Sequence, residues 1–190
     1  MTIIVDGTGQ GTRAAVTKEN RLKVDAISEN AYAHSAQRGK AFTITTKTVL
    51  YSGTAPFDQP ILHVHNHGTD DVELTSFFVG ESVRSGQGDL TAPILFEVYG
   101  DPAGTPTGTQ LDIVNQRVGD PTPFNIMATL DPVGLTLTPS GPLLHQYHYS
   151  GRAQDNLNIT LPSNQSILVM ASFPSSLVGI YLGFNGYVRG

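Results

Sequence analysis

The sequence contains no cysteine. Disulfides, thiolate metal sites and cysteine nucleophiles are therefore excluded, while the redox compartment stays open. Stability does not require such links, because 190 residues are enough to bury the core of one domain. We therefore expect a fold that is held together by side-chain packing alone.

Charged residues are also scarce. Asp, Glu, Lys and Arg make up 14% of the chain, whereas about a quarter is usual in soluble domains. An uncharged polar surface favours assembly with other proteins, because burying Thr or Asn against a partner costs less than burying an unpaired Lys or Glu. The formal net charge of -5 argues against nucleic acid as a partner, since a grip on phosphates needs clustered Lys and Arg.

Long apolar runs are missing as well. The first eleven residues, MTIIVDGTGQG, have no basic segment followed by an apolar core. Nowhere does an apolar stretch approach the roughly 18 residues that span a bilayer. We therefore expect a soluble chain without a signal peptide and with no membrane partner.

From about residue 40 onward, β-branched, aromatic and leucine runs recur between clusters of Gly, Pro, Asp and Asn, which is typical of strands separated by turns. Phe42 and Ile44 alternate with Thr43 and Thr45, as expected where one strand face meets a core. Ten strands are too many for one flat sheet and predict an all-β, antiparallel β-sandwich over residues 40–190, jelly-roll-like in topology. The ten predicted strands are residues 41–51, 60–66, 72–80, 93–99, 110–117, 124–130, 143–149, 157–161, 166–173 and 178–188.

Residues 1–39 differ from the rest. They hold much of the charge and few large apolar residues, and they begin with Gly7, Gly9 and Gly11, so they cannot build a core alone. This composition predicts an extended N-terminal arm for anchoring or oligomerisation. Such an arm would lie across a neighbouring subunit, or residues 22–27 would add a strand to another sheet's edge.

The start of the chain also carries a family resemblance. The strings DGTGQG at residues 6–11, NRLKV at residues 20–24 and GKAF at residues 39–42, before a Thr-rich strand, resemble the opening of phage virion structural proteins of the head-decoration or head-fibre type. The resemblance continues through LHVHN at residues 62–66. It implies a virion location and a non-catalytic role, and it transfers no functional residues.

Composition, arm and resemblance together predict a phage structural protein, either a capsid decoration protein or an assembly protein attached to the head or tail. It would act through protein–protein contacts and not as an enzyme, and it would need no cofactor. Its expected partners are other copies of itself, with a trimer favoured by analogy with phage jelly rolls, and virion proteins such as the major capsid protein.

One local pattern suggests a different chemistry. His63, His65 and His67 project from one face of a predicted strand, about 7 Å apart by strand geometry. They are therefore the predicted metal ligands, and His65 and His67 with Asp71 resemble the first metal motif of cupins, a family of metal-dependent β-sandwich enzymes. The second cupin motif has only a poor counterpart around His145. The alternative is a solvated or subunit-facing stripe.

A second alternative involves another strand. His145, Tyr147 and Tyr149 share one face, and aromatic rings of this kind can stack against sugars. They therefore predict a glycan-binding module that would recognise a host receptor. The same residue types are equally ordinary at protein interfaces.

Overall fold

The computed structural model describes residues 4–5, 13–16, 22–23, 31–117, 119–120, 123–130, 136–149 and 154–189. The chain divides into two compact units, Met1–Asn30 and Ala31–Gly190. The smaller unit contains three short antiparallel strands in the order β1-β2-β3: β1 (Ile4–Val5), β2 (Arg13–Val16) and β3 (Leu22–Lys23). Leu22 and Lys23, which the sequence predicts could extend another sheet, pair here with Val16 and Ala15. The anchoring role of the predicted arm stays a prediction.

The larger unit begins with a seven-residue helix and continues with strands. No helix in the described part of the chain is long and apolar enough to cross a membrane. The elements are α1 (Ala31–Gln37), β4 (Ala41–Thr45), β5 (Val49–Ser52), β6 (Phe57–Asn66), β7 (Val72–Gly88), β8 (Ile94–Gly100), β9 (Thr109–Gln110), β10 (Ile113–Asn115), β11 (Ile126–Leu130), β12 (Leu143–Tyr149), β13 (Gln154–Leu161), β14 (Ser166–Phe173) and β15 (Ser175–Val188).

These strands form two six-stranded antiparallel sheets, which pack together as a sandwich. Sheet I has the order β10-β4-β15-β7-β13, with β5 also paired to β15, and sheet II has the order β12-β8-β14-β6-β11-β9. Apolar side chains of both sheets, among them Phe42, Phe77, Phe96 and Phe184, are fully buried in one common core. The predicted all-β antiparallel sandwich is therefore confirmed.

Most connections cross from one sheet to the other. Strand β6 lies in sheet II, β7 in sheet I and β8 in sheet II, and the series β12, β13, β14, β15 alternates in the same way. Because consecutive strands lie on opposite sides of the core, few of them are simple hairpins within a sheet. This crossing gives the sandwich its jelly-roll-like character.

Several predicted strands have different limits in the structure. The predicted strand 41–51 is interrupted at Thr46, whose hydroxyl accepts a hydrogen bond from the Leu182 backbone N–H at 2.9 Å. The predicted strand 110–117 divides into β9 in sheet II and β10 in sheet I. Strand β7 runs eight residues beyond its predicted end at residue 80, because β15 supplies pairing partners as far as Gly88.

Candidate functional site

The histidine stripe, His63, His65 and His67, lies on the outer face at the end of strand β6. Strand β6 is an interior strand of sheet II, between β14 and β11. Leu62 and Val64 point into the core, so the alternation of the strand turns the histidines outward, as the sequence predicts. The ring centroids of His65 and His67 are 4.0 Å apart, and those of His63 and His65 are 6.2 Å apart.

Burial decreases along the stripe. His63 is 3% exposed, His65 is half-buried and His67 is exposed. Next to His63 in the sheet is Leu168, and Leu137 packs on Leu168 to form a small second apolar cluster outside the main core. His63 is therefore an imidazole inside the protein, whereas His67 faces water.

This gradient sets the electrostatics of the stripe. Burial, and to a smaller extent the neighbouring His65 and His67, lower the pKa of His63 from 6.5 to about 4. Burial and His67 also lower the pKa of His65. The Nδ1 atom of His63 is buried and has no hydrogen-bond partner among the described residues. His63 is thus a neutral base with an unsatisfied nitrogen at neutral pH.

The stripe does not form a preassembled three-ligand metal site. Within the described ranges, no group of three or more His, Cys, Asp or Glu side chains is arranged to hold a metal ion. This covers the cupin-like set of His65, His67 and Asp71. Metal binding by His63, His65 and His67 together stays a prediction from the sequence.

The tyrosine face of β12 points inward and not outward. Tyr147 is 8% exposed, and its ring meets that of Phe77 edge to face at 6.0 Å. The ring of Tyr149 packs against the core, and its hydroxyl accepts a hydrogen bond from the Glu81 backbone N–H at 3.4 Å. Tyr147 is therefore too buried to serve as a sugar-stacking ring, whereas Tyr149 is only half-buried. Glycan binding itself stays a prediction from the sequence.

His145, on the same inward face, joins the two sheets. Its Nε2 lies 2.9 Å from Oδ2 of Asp155, which belongs to β13 at the edge of sheet I. Since β12 is the edge strand of sheet II, this contact ties one edge of the sandwich together. The side chain has a structural partner, in keeping with its weak match to the second cupin motif.

A different surface is apolar and open. We define the outer apolar patch as Leu50, Val83 and Tyr181, on β5, β7 and β15 of sheet I, with exposures of 57%, 38% and 42%. In the sheet register, Leu50 and Val83 flank Gly179 from its two sides. Because glycine has no side chain, the two apolar side chains approach each other across β15.

Comparisons of the chain with protein-family models, curated proteins and solved structures find no match.

Two glycines of sheet I are covered by aromatic rings near the patch. A Cβ atom added to Gly80 would lie 2.1 Å from Cζ of Tyr181, and one added to Gly183 would lie 2.5 Å from Cζ of Phe78. Each ring therefore occupies space that a side chain at the glycine would need. The sequence shows only that the side chain of Tyr181 is on the opposite face of the strand from those of Ile180 and Leu182. The patch itself depends on long-range pairing of β15 with β5 and β7, so the sequence pattern did not reveal it.

Proposed function

We propose that this protein is a non-catalytic structural subunit of a phage virion, a capsid decoration protein or an assembly protein attached to the head or tail. It binds copies of itself, as a trimer, and virion proteins such as the major capsid protein. The observation that carries the proposal is the outer apolar patch. The low charge content and the resemblance of the N-terminal segment to virion proteins support it.

The patch has the composition of a contact surface. Exposed apolar groups that are contiguous, and not scattered singly, are typical of sites that other proteins cover. Tyrosine is enriched at such contacts because its ring supplies apolar area and its hydroxyl supplies a polar end. The three side chains project from paired strands and need little ordering when a partner binds.

The test measures the mass of the protein in solution. We expect light scattering after gel filtration to give a trimer, and we expect Leu50→Lys and Tyr181→Lys to shift it toward monomer, because each places a charge in the contact. Leu143→Lys is the matched control, since Leu143 is 48% exposed but lies on β12 of sheet II. A wild-type protein that is monomeric at every concentration, or a trimer that Tyr181→Lys leaves intact, would contradict this use of the patch.

The virion assignment needs a separate measurement. We expect purified particles of the phage that encodes the chain to contain the protein in many copies, visible by imaging with a specific antibody. Particles that lack it would refute a virion role even if the isolated protein forms trimers.

A further inference from the structure

Two imidazoles of the histidine stripe lie close enough to share a ligand. His65 and His67 are two residues apart, and their ring centroids are separated by 4.0 Å with 33° between the ring planes. A transition metal binds imidazole nitrogen at about 2.0–2.1 Å, so one ion spans two rings at this spacing after small rotations of the side chains. Solvent reaches both side chains, because His65 is half-buried and His67 is exposed.

The cross-strand neighbours of His63 and His65 do not repel a cation. Directly opposite His65 are Ser166 of β14 and Met127 of β11, and opposite His63 are Leu168 and Thr129. None of these four cross-strand neighbours titrates or carries a positive charge.

The third histidine supplies an independent observation. His63 is 3% exposed, and its Nδ1 has no hydrogen-bond partner among the described residues. Buried polar atoms almost always have a partner, and an unmatched one points to a water or ion that belongs there.

We propose that His65 and His67 chelate one transition-metal ion on the outer face of sheet II, with copper(II) bound more tightly than nickel(II) or zinc(II). The order follows from the general preference of nitrogen ligands along the first-row metals. Water molecules complete the coordination. Magnesium and calcium, which prefer oxygen ligands, do not bind there.

Titration calorimetry of the untagged protein at pH 7.5 tests the site with copper, nickel, zinc and magnesium chlorides. We expect one copper ion per chain. His65→Ala and His67→Ala each weaken binding about 100-fold, because the second imidazole binds as an intramolecular partner of the first. His148→Ala is the matched control, an exposed histidine on β12 of the same sheet, and it leaves the affinity unchanged.

A spectroscopic readout separates the chelate from other copper sites. The paramagnetic resonance spectrum of the copper(II) protein is expected to show two coordinated nitrogens in the wild type and one in His67→Ala. Thermal melts establish that each variant is folded. Stoichiometric copper in the double variant His65→Ala/His67→Ala, or no copper binding by the wild type, would overturn the proposal.

Discussion

At Gly183, the backbone of the neighbouring strand β4 lies so close that only glycine fits. A Cβ atom there would lie 2.0 Å from the backbone oxygen of Ile44, and β4 cannot move away without breaking its pairing with β15. We predict that Gly183→Ala lowers the free energy of unfolding by about 3 kcal/mol, as overpacking of a tight site does. Urea denaturation followed by circular dichroism measures it.

Gly80→Ala is the matched control for this prediction. Its added Cβ would also clash, but with the ring end of Tyr181, which is 42% exposed and can rotate. We therefore expect a much smaller loss of stability. Equal losses for Gly80→Ala and Gly183→Ala would show that backbone approach is not the cause.

The buried His63 predicts how stability depends on pH. Its pKa is about 4 in the folded protein and has the ordinary value of 6.5 in the unfolded chain. Between pH 4 and pH 6.5, therefore, only the unfolded chain takes up the proton. The free energy of unfolding is therefore unaffected above pH 6.5 and falls toward pH 4, by about 3 kcal/mol in all from this group. Replacing His63 by Leu removes the contribution of this group to the pH dependence of the free energy of unfolding.

Denaturation of His63→Leu and of wild type at pH 7.5, 6, 5 and 4 checks this. The difference between the two proteins should grow in favour of the variant as the pH falls. His148→Leu controls for removing an exposed imidazole. A constant difference between His63→Leu and wild type across this range would contradict the assigned role of burial.

For single residues, the sequence predicts the direction of a side chain better than it predicts its burial. The alternation of residues 62–67 correctly placed His63, His65 and His67 on one face. It did not predict that His63 is buried, because its cross-strand neighbour Leu168 comes from a distant segment of the chain. It placed Tyr147 and Tyr149 on one face as well, but nothing local showed that this face is the core.

Strand β15 is the element on which sheet I depends. It pairs with β4, β5 and β7, so it lies between strands from three other parts of the chain. We predict that deletion of residues 179–190 abolishes the cooperative thermal transition, because Ile180, Leu182 and Phe184 leave the core together. Circular dichroism of the shortened chain measures this, and an unchanged cooperative melt would refute it.

A smaller deletion serves as the control. Removal of residues 189–190 leaves all of β15 in place but breaks the 2.8 Å ion pair between Arg189 Nε and Glu73 Oε1. The Glu73 side chain is only 5% exposed, and it retains the hydrogen bond from the Thr160 hydroxyl. We expect a loss of about 1 kcal/mol and a cooperative melt.

The elements were predictable where the pattern of side chains is periodic. Strands β6, β8, β11, β12 and β14 lie within a few residues of their predicted limits, since each has apolar residues at alternate positions or, in β14, a short continuous apolar run. The sequence does not predict the end of β7, because residues 81–88 are mostly polar and are held in the strand by pairing with β15. Helix α1 is too short for a clear helical period.

For the whole molecule, the low charge content makes a prediction about assembly. If the outer apolar patch forms the contact, association depends on removing apolar surface from water and little on ion pairs. We expect the dissociation constant to change less than about threefold between 0.05 and 0.5 M sodium chloride, since screening acts only on charges. Sedimentation equilibrium at both salt concentrations measures it, and a loss of assembly at high salt would point to a charged contact instead.

The pairing of β15 also bears on how the protein is made. A ribosome synthesises β4, β5 and β7 well before the strand that joins them, so nascent sheet I has no centre until β15 emerges from the exit tunnel. Until then, the inner sides of those strands offer chaperones an apolar target. We therefore expect chains whose translation stops before β15 to remain unfolded, because sheet I lacks the strand that joins β4, β5 and β7.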